Sequence, residues 1–253
     1  MARISARIFP GTLGYSTSIE VILPQNPLEL KPVEKVLYLF HGLGQDCTAW
    51  GRHSTIESFA DKYNYAVIMP EVQRSFYANM AYGSDYFSYV AFELPKIVEQ
   101  LFNIKHVREK TFVAGLSMGG YGAIRCGLSR PDFYGACAGF SGALDPQAHV
   151  GGMDRDGMGK QIIGILGTDL IFPEETNLFR LAEKVAQLPE MQIPCVLVTC
   201  GDKDFLLEDN RRFNDHMKKL PIPFKYAEWP GDHDFKFWEE SLPIMFEFFG
   251  ENS

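Results

Sequence analysis

Two kinds of apolar pattern divide the chain. Residues 4–9 and 18–23 alternate polar and apolar positions across Pro10, Gly11 and Gly14, which predicts an antiparallel, hairpin-like N-terminal edge. Residues 36–40 (VLYLF), 66–69 (AVIM), 111–114 (TFVA), 135–140 (GACAGF) and 194–200 (PCVLVTC) are apolar runs without alternation, as strands covered on both faces require. Between the runs, residues 49–63, 86–102, 119–129, 177–188, 210–220 and 235–249 carry helical spacing. Strand and helix alternate, which predicts a mostly parallel, doubly wound α/β sheet. Pro95 inside the 86–102 stretch predicts a kink or two shorter helices. Residues 142–173 are Gly-rich and polar without clear period, so a small cap or insertion is expected at about 142–192 within a single domain spanning 1–253.

Composition narrows the function classes. With 46% hydrophobic and 22% charged residues the chain can bury a sizeable core. Its 24 Lys and Arg against 32 Asp and Glu leave a formal charge of −8, which repels phosphate backbones and anionic lipid, so neither nucleic acid nor membrane is an expected partner. The five cysteines are odd in number, form no C-x-x-C pair and lie partly in apolar runs, a pattern suited to a reducing cytosol. Residues 1–10 lack the apolar stretch of a signal peptide and no later run approaches a membrane span, so a cytoplasmic location is expected.

The chemistry concentrates after residues 111–114, where the strand runs into Gly115-Leu116-Ser117-Met118-Gly119 and then Gly120 and Gly122. This is a G-x-S-x-G nucleophile elbow in its strand, turn and helix context. Its glycines let the backbone pass closely while Ser117 projects at the sheet's carboxyl edge and the Met118 amide faces a developing oxyanion. A phosphate cradle is set aside because Tyr121 stands where a P-loop needs Lys. A serine nucleophile requires a histidine base and an orienting acid, which follow it in α/β-hydrolase order. Of His149, His216 and His233, only His233 lies in a turn-rich loop after a strand (WPGDHD); His216 reads as a solvated helix-face residue and His149 as a surface residue of the cap. His53 and His106 read as surface or packing residues. Residues 201–204 (GDKD) offer two acids. Asp204 is favoured for its spacing around the turn, and Asp202 reads as a turn residue, as do Asp232 and Asp234. The loop 41–45 (HGLGQ) is the source of a second oxyanion donor, the Leu43 amide first and Gly44 second, with His41 as a structural residue of that loop.

These motifs resemble those of the esterase D and S-formylglutathione hydrolase group of α/β-hydrolases, and within it the small bacterial tributyrin-esterase-like carboxylesterases. The matching segments are HGLGQD (41–46), RSFYANMAYG (74–83) with FELP (92–95), GLSMGGYGA (115–123), GDKDFLLEDN (201–210) and GDHDFKFW (231–238), spread over most of the chain. The resemblance implies an α/β-hydrolase fold and hydrolysis of short-chain acyl esters through an acyl-enzyme, with no metal or organic cofactor. It implies Ser117, Asp204 and His233 as the triad, and Leu43 and Met118 as the oxyanion hole. Tyr77, Asn79, Met80 and Tyr82 are its pocket candidates. The segment after Glu71 lacks the longer Cys- and Trp-containing stretch of the formylglutathione hydrolases, which argues against glutathione thioesters. Rival readings are an acyltransferase or S-formylglutathione hydrolase-type thioesterase on the same triad, and a catalytically silent hydrolase fold serving as an interaction module. The expected partner is a small-molecule ester, and homo-oligomerisation is left open.

Overall fold

A computed structural model of the chain describes residues 1–25, 32–150 and 158–252. Eight strands, β1 (Ala2–Ile8), β2 (Thr17–Leu23), β3 (Lys35–Phe40), β4 (Tyr65–Pro70), β5 (Thr111–Leu116), β6 (Ala136–Phe140), β7 (Cys195–Gly201) and β8 (Phe224–Trp229), form one sheet in the order β1-β2-β4-β3-β5-β6-β7-β8. The predicted edge is present: β1 pairs antiparallel with β2 from Ala2↔Leu23 to Ile8↔Thr17, and β2 pairs antiparallel with β4. Every later pairing is parallel. The carboxyl ends of β5, β7 and β8 therefore open on one edge of the sheet, where α/β folds hold their ligands.

Among the described residues there are ten α-helices: α1 (Ala49–His53), α2 (Ile56–Tyr63), α3 (Tyr86–Ser88), α4 (Leu94–Phe102), α5 (Met118–Ser129), α6 (Gln147–Val150), α7 (Met158–Leu166), α8 (Leu178–Val185), α9 (Leu207–Met217) and α10 (Phe235–Glu251). Alternate residues of the central strands face opposite layers. Val36, Tyr38 and Phe40 of β3 pack with Leu94 and Val98 of α4, Ile124 of α5, Leu181 of α8 and Phe213 of α9. Leu37 and Leu39 pack on the other side with Trp50 of α1, Ala60 of α2, and Trp238, Met245 and Phe249 of α10. Burial of side chains of this size is worth roughly 1.5–3 kcal/mol each, so both faces of the sheet hold its twist and register.

Three segments differ from the periodicity reading. The single helix expected over 49–63 is two, because Ser54 turns extended (φ −140°, ψ 168°) and its amide closes α1 on Trp50. The 86–102 stretch breaks as Pro95 requires: a π-helical turn, Tyr89–Glu93, separates α3 from α4, and Pro95 falls in the first turn of α4, where a missing amide hydrogen costs nothing. Residues 142–173 contain α6 and α7, with 151–157 outside the described residues. Ile162 and Ile165 of α7 pack on Ala78 in a small cluster apart from the sheet layers. By contrast α8, inside the expected 142–192 insertion, belongs to the layer covering the sheet.

Candidate active site

The nucleophile elbow stands on two close approaches. A Cβ on Gly119 would lie 2.5 Å from the Phe40 carbonyl oxygen and 2.6 Å from that of His41, and one on Gly115 would strike the Gly119 carbonyl. Between them Ser117 is held at φ 54°, ψ −118°, a conformation that costs a non-glycine residue about 1–3 kcal/mol and survives only where its surroundings enforce it. Its amide donates to the Phe140 oxygen at 2.8 Å, which ties the elbow to the end of β6, and α5 begins at Met118.

The acid and base loops meet because Gly201 leaves room for the Gly231 carbonyl, which a Cβ would strike. Asp202 Oδ1 accepts the Gly231 amide at 3.1 Å and the Lys203 amide donates to the Gly231 oxygen at 3.0 Å, so Asp202 is the turn residue. This leaves Asp204 to face His233. Its carboxylate oxygens lie 2.9 and 3.0 Å from His233 Nδ1, and His233 Nε2 lies 3.0 Å from Ser117 Oγ. Nδ1 therefore carries the proton donated to Asp204, leaving the Nε2 lone pair for the serine hydroxyl. Burial pushes the Asp204 carboxyl up, but the hydrogen bonds from His233 and from the Leu206 amide outweigh it and hold the group below the ordinary carboxylate value. Asp234 accepts from the Phe237 amide at 3.0 Å and caps α10.

The loop 41–45, expected to supply an oxyanion donor, is braced by its own hydrogen bonds. Gln45 Oε1 accepts the Gly42 amide at 2.9 Å, and His41 Nδ1 donates to the Gly42 oxygen at 2.9 Å while its Nε2 accepts the Val72 amide at 3.2 Å. Burial lowers the His41 pKa, so the ring is neutral, as that pair of bonds requires. Leu43 and Met118 line the same cavity as Ser117.

That cavity, about 590 Å³, is bounded chiefly by Leu43, Phe76, Met118, Ile162, Phe205 and Leu206. None of the four residues expected to form the pocket is among its walls. Tyr77 is fully buried, stacks on Phe40 with ring centroids 4.5 Å apart, and donates to the His41 oxygen at 2.9 Å. Asn79 bonds Ser88 of α3, its Nδ2 donating to Oγ at 2.8 Å and its Oδ1 accepting the Ser88 amide at 2.9 Å. Met80 packs on the α7 cluster, and Tyr82 is exposed. Two of the walls are chain neighbours of residues singled out in the sequence: Phe76 precedes Tyr77, and Phe205 follows Asp204.

His149 of α6 also borders the cavity, with Nε2 2.8 Å from the buried Asp209 carboxylate. His216 is not the solvated residue expected: it is half-buried, with Nε2 3.2 Å from the Phe179 oxygen and its ring 5.1 Å from the Phe179 ring. His53 packs on Phe235 and His106 bonds the Tyr38 hydroxyl at 2.8 Å. All five cysteines are free thiols, and burial pushes Cys47 and Cys126 up to about 12, which keeps both protonated and poorly nucleophilic at neutral pH. Among the described residues no cluster of three or more His, Cys, Asp or Glu is placed to hold a metal ion.

With this geometry in hand, the relatives are informative. Residues 11–249 match the family described as putative esterase. An acetyl esterase of Caldicellulosiruptor saccharolyticus is 30% identical over 270 residues, spanning all of both chains. The substrate-bound fluorophosphonate-binding serine hydrolase F of Staphylococcus aureus superposes with a TM-score of 0.87 at 33% identity over 98% of each chain. An S-formylglutathione hydrolase of the same organism superposes with a TM-score of 0.84, also at 33% identity and 98% coverage of each chain. A matching family model over almost the whole chain, a full-length esterase relative and the shared sheet topology agree: the chain belongs to the putative esterase family, the esterase D-like branch of the α/β-hydrolases.

Proposed function

We infer that this serine carboxylesterase hydrolyses short-chain acyl esters through an acyl-enzyme on Ser117, with His233 as base and Asp204 as the orienting acid. The connected Ser117 Oγ, His233 Nε2, His233 Nδ1 and Asp204 chain, with steps of 3.0 Å and 2.9 Å, carries the reading. Nε2 takes the hydroxyl proton as Oγ bonds to the ester carbonyl carbon. The carbonyl oxygen becomes an oxyanion beside the Leu43 and Met118 amides, with the amino end of α5 adding positive potential. The tetrahedral species collapses as the carbon to leaving-oxygen bond breaks and Nε2 returns its proton to that oxygen. Water then repeats the sequence on the acyl-enzyme, releasing the carboxylic acid and restoring Ser117.

The acetyl esterase relative supports a small acyl group, and the apolar cavity beside Ser117 supports an uncharged one. The likeness to an S-formylglutathione hydrolase supports thioesters as a second substrate class on the same residues. Five reduced thiols support a cytoplasmic setting, and the charge of −8 supports a small-molecule partner over nucleic acid. Among the described residues no helix is long and apolar enough to cross a membrane.

Ser117→Ala tests the reading directly. Turnover of p-nitrophenyl acetate should fall about a millionfold, the scale of removing a triad nucleophile, and labelling by a fluorophosphonate probe should vanish. Wild-type turnover in that variant would refute the assignment.

A further inference from the structure

Phe205 departs from ordinary burial. Phenyl side chains are among the most often buried, yet Phe205 is 74% exposed. Its backbone is pinned, since it lies between Asp204 and Leu206, whose amide donates to Asp204 Oδ1 at 2.8 Å. The ring sits 4.4 Å from the His233 ring at an interplanar angle of 50° and borders the cavity that holds Ser117. His233 also meets Trp238 edge-on at 5.1 Å, and Trp238 is buried. The imidazole thus touches one ring held in the core and one ring open to solvent.

Proton transfer dictates what will meet that face. His233 delivers its proton to the leaving oxygen at hydrogen-bond distance, so the carbon group attached to that oxygen must lie beside the imidazole. We propose that Phe205 determines leaving-group specificity: its exposed ring stacks on aromatic or apolar alcohols and favours their esters over those of small or strongly polar alcohols. The inference rests on the Ser117, His233 and Asp204 reading and adds the class of alcohol to it. The chemistry is unchanged, because the alcohol still departs neutral with the proton from Nε2. Stacking acts on acylation, where the alcohol is present, and not on deacylation, where it has gone.

Benzyl acetate and ethyl acetate share an acyl group and have leaving alcohols of similar basicity, so the ratio of their kcat/KM values isolates contact with the alcohol. The wild-type ratio should exceed one clearly, Phe205→Ala should lower it about tenfold, and Phe205→Trp should restore it, as expected for a single aromatic pair. Phe205→Leu supplies the same comparison should the alanine variant fold poorly, with an intermediate ratio. A Phe205→Ala or Phe205→Leu enzyme that loses activity on both esters by the same factor overturns the inference, since a ring that only steadies His233 would act that way. Benzyl acetate hydrolysis surviving in Ser117→Ala would instead overturn the underlying reading.

Discussion

The N-terminal edge and the centre of the sheet solve different problems. At the N-terminal edge β1 alternates half-buried and exposed positions, one face of the strand is wet, and its antiparallel partner β2 is seven residues long in matched register. In the centre β5 is buried at all six positions, and its last residue leads into Ser117 at a positive φ. The edge is held by many small, replaceable interactions. The carboxyl ends of β5 and β7 are held by close backbone approaches that admit only glycine, because three loops must converge within hydrogen-bond distance. Parallel strands make that possible: they deliver every carboxyl end to one rim, whereas an antiparallel edge sends its ends both ways.

Substitutions graded from the rim to the edge would sharpen or break this contrast. Asp204→Asn should have the largest effect, a loss of about 10⁴-fold in kcat measured on a p-nitrophenyl ester, because the amide favours the wrong His233 tautomer, while Asp202→Asn should stay within a few-fold. Equal losses would reverse the roles given to the two acids. The same variant carries a pH signature. The Asp204 carboxyl is depressed in the folded protein, so its contribution to stability is complete above the ordinary carboxylate range and is lost as pH falls through the folded value. Acid unfolding followed by circular dichroism should therefore show a shallower acid limb in Asp204→Asn.

Gly119→Ala comes next. A methyl 2.5 Å from the Phe40 oxygen forces β3 and α5 apart, and a loss of about 3 kcal/mol is expected in urea denaturation, at the upper end for overpacking. An unchanged midpoint would mean the elbow is looser than its backbone suggests. Tyr77→Phe removes the hydroxyl that supports the His41 oxygen, for about 1 kcal/mol of stability and a measurable fall in kcat through the oxyanion loop. The edge should answer least. Arg3 bridges the buried Glu20 at 3.1 Å and the exposed Glu57 at 3.3 Å, and Glu57→Ala, which breaks only the exposed pair, should cost about 0–1 kcal/mol with kcat unaltered. A rim-sized loss at Glu57 would dissolve the distinction.

How far the residues foretold this structure depends on the kind of signal. Strand and helix order was legible because burial on both faces leaves unbroken apolar runs such as VLYLF, while one wet face leaves alternation. The elbow was legible because close backbone approach leaves glycines at positions 115 and 119. Helix α7 was hidden, since Ile162 and Ile165 pair with Ala78 from a distant segment and are surrounded by glycines that resemble a loop. That Phe76 and not Tyr77 borders the cavity was hidden for a related reason: Tyr77 and Phe76 both have positive φ, at 51° and 52°, and this irregular backbone decides which ring enters the core and which borders the cavity.

Sequence alone determined the α/β layering, the elbow that carries Ser117 and the loop that supplies His233, because each depends on local pattern or on a motif contiguous in the chain. Tertiary structure decided between Asp202 and Asp204, buried Tyr77 beneath the oxyanion loop and exposed Phe205 beside His233. Those outcomes depend on distances between segments far apart in the chain, and such distances exist only once both faces of the sheet are packed.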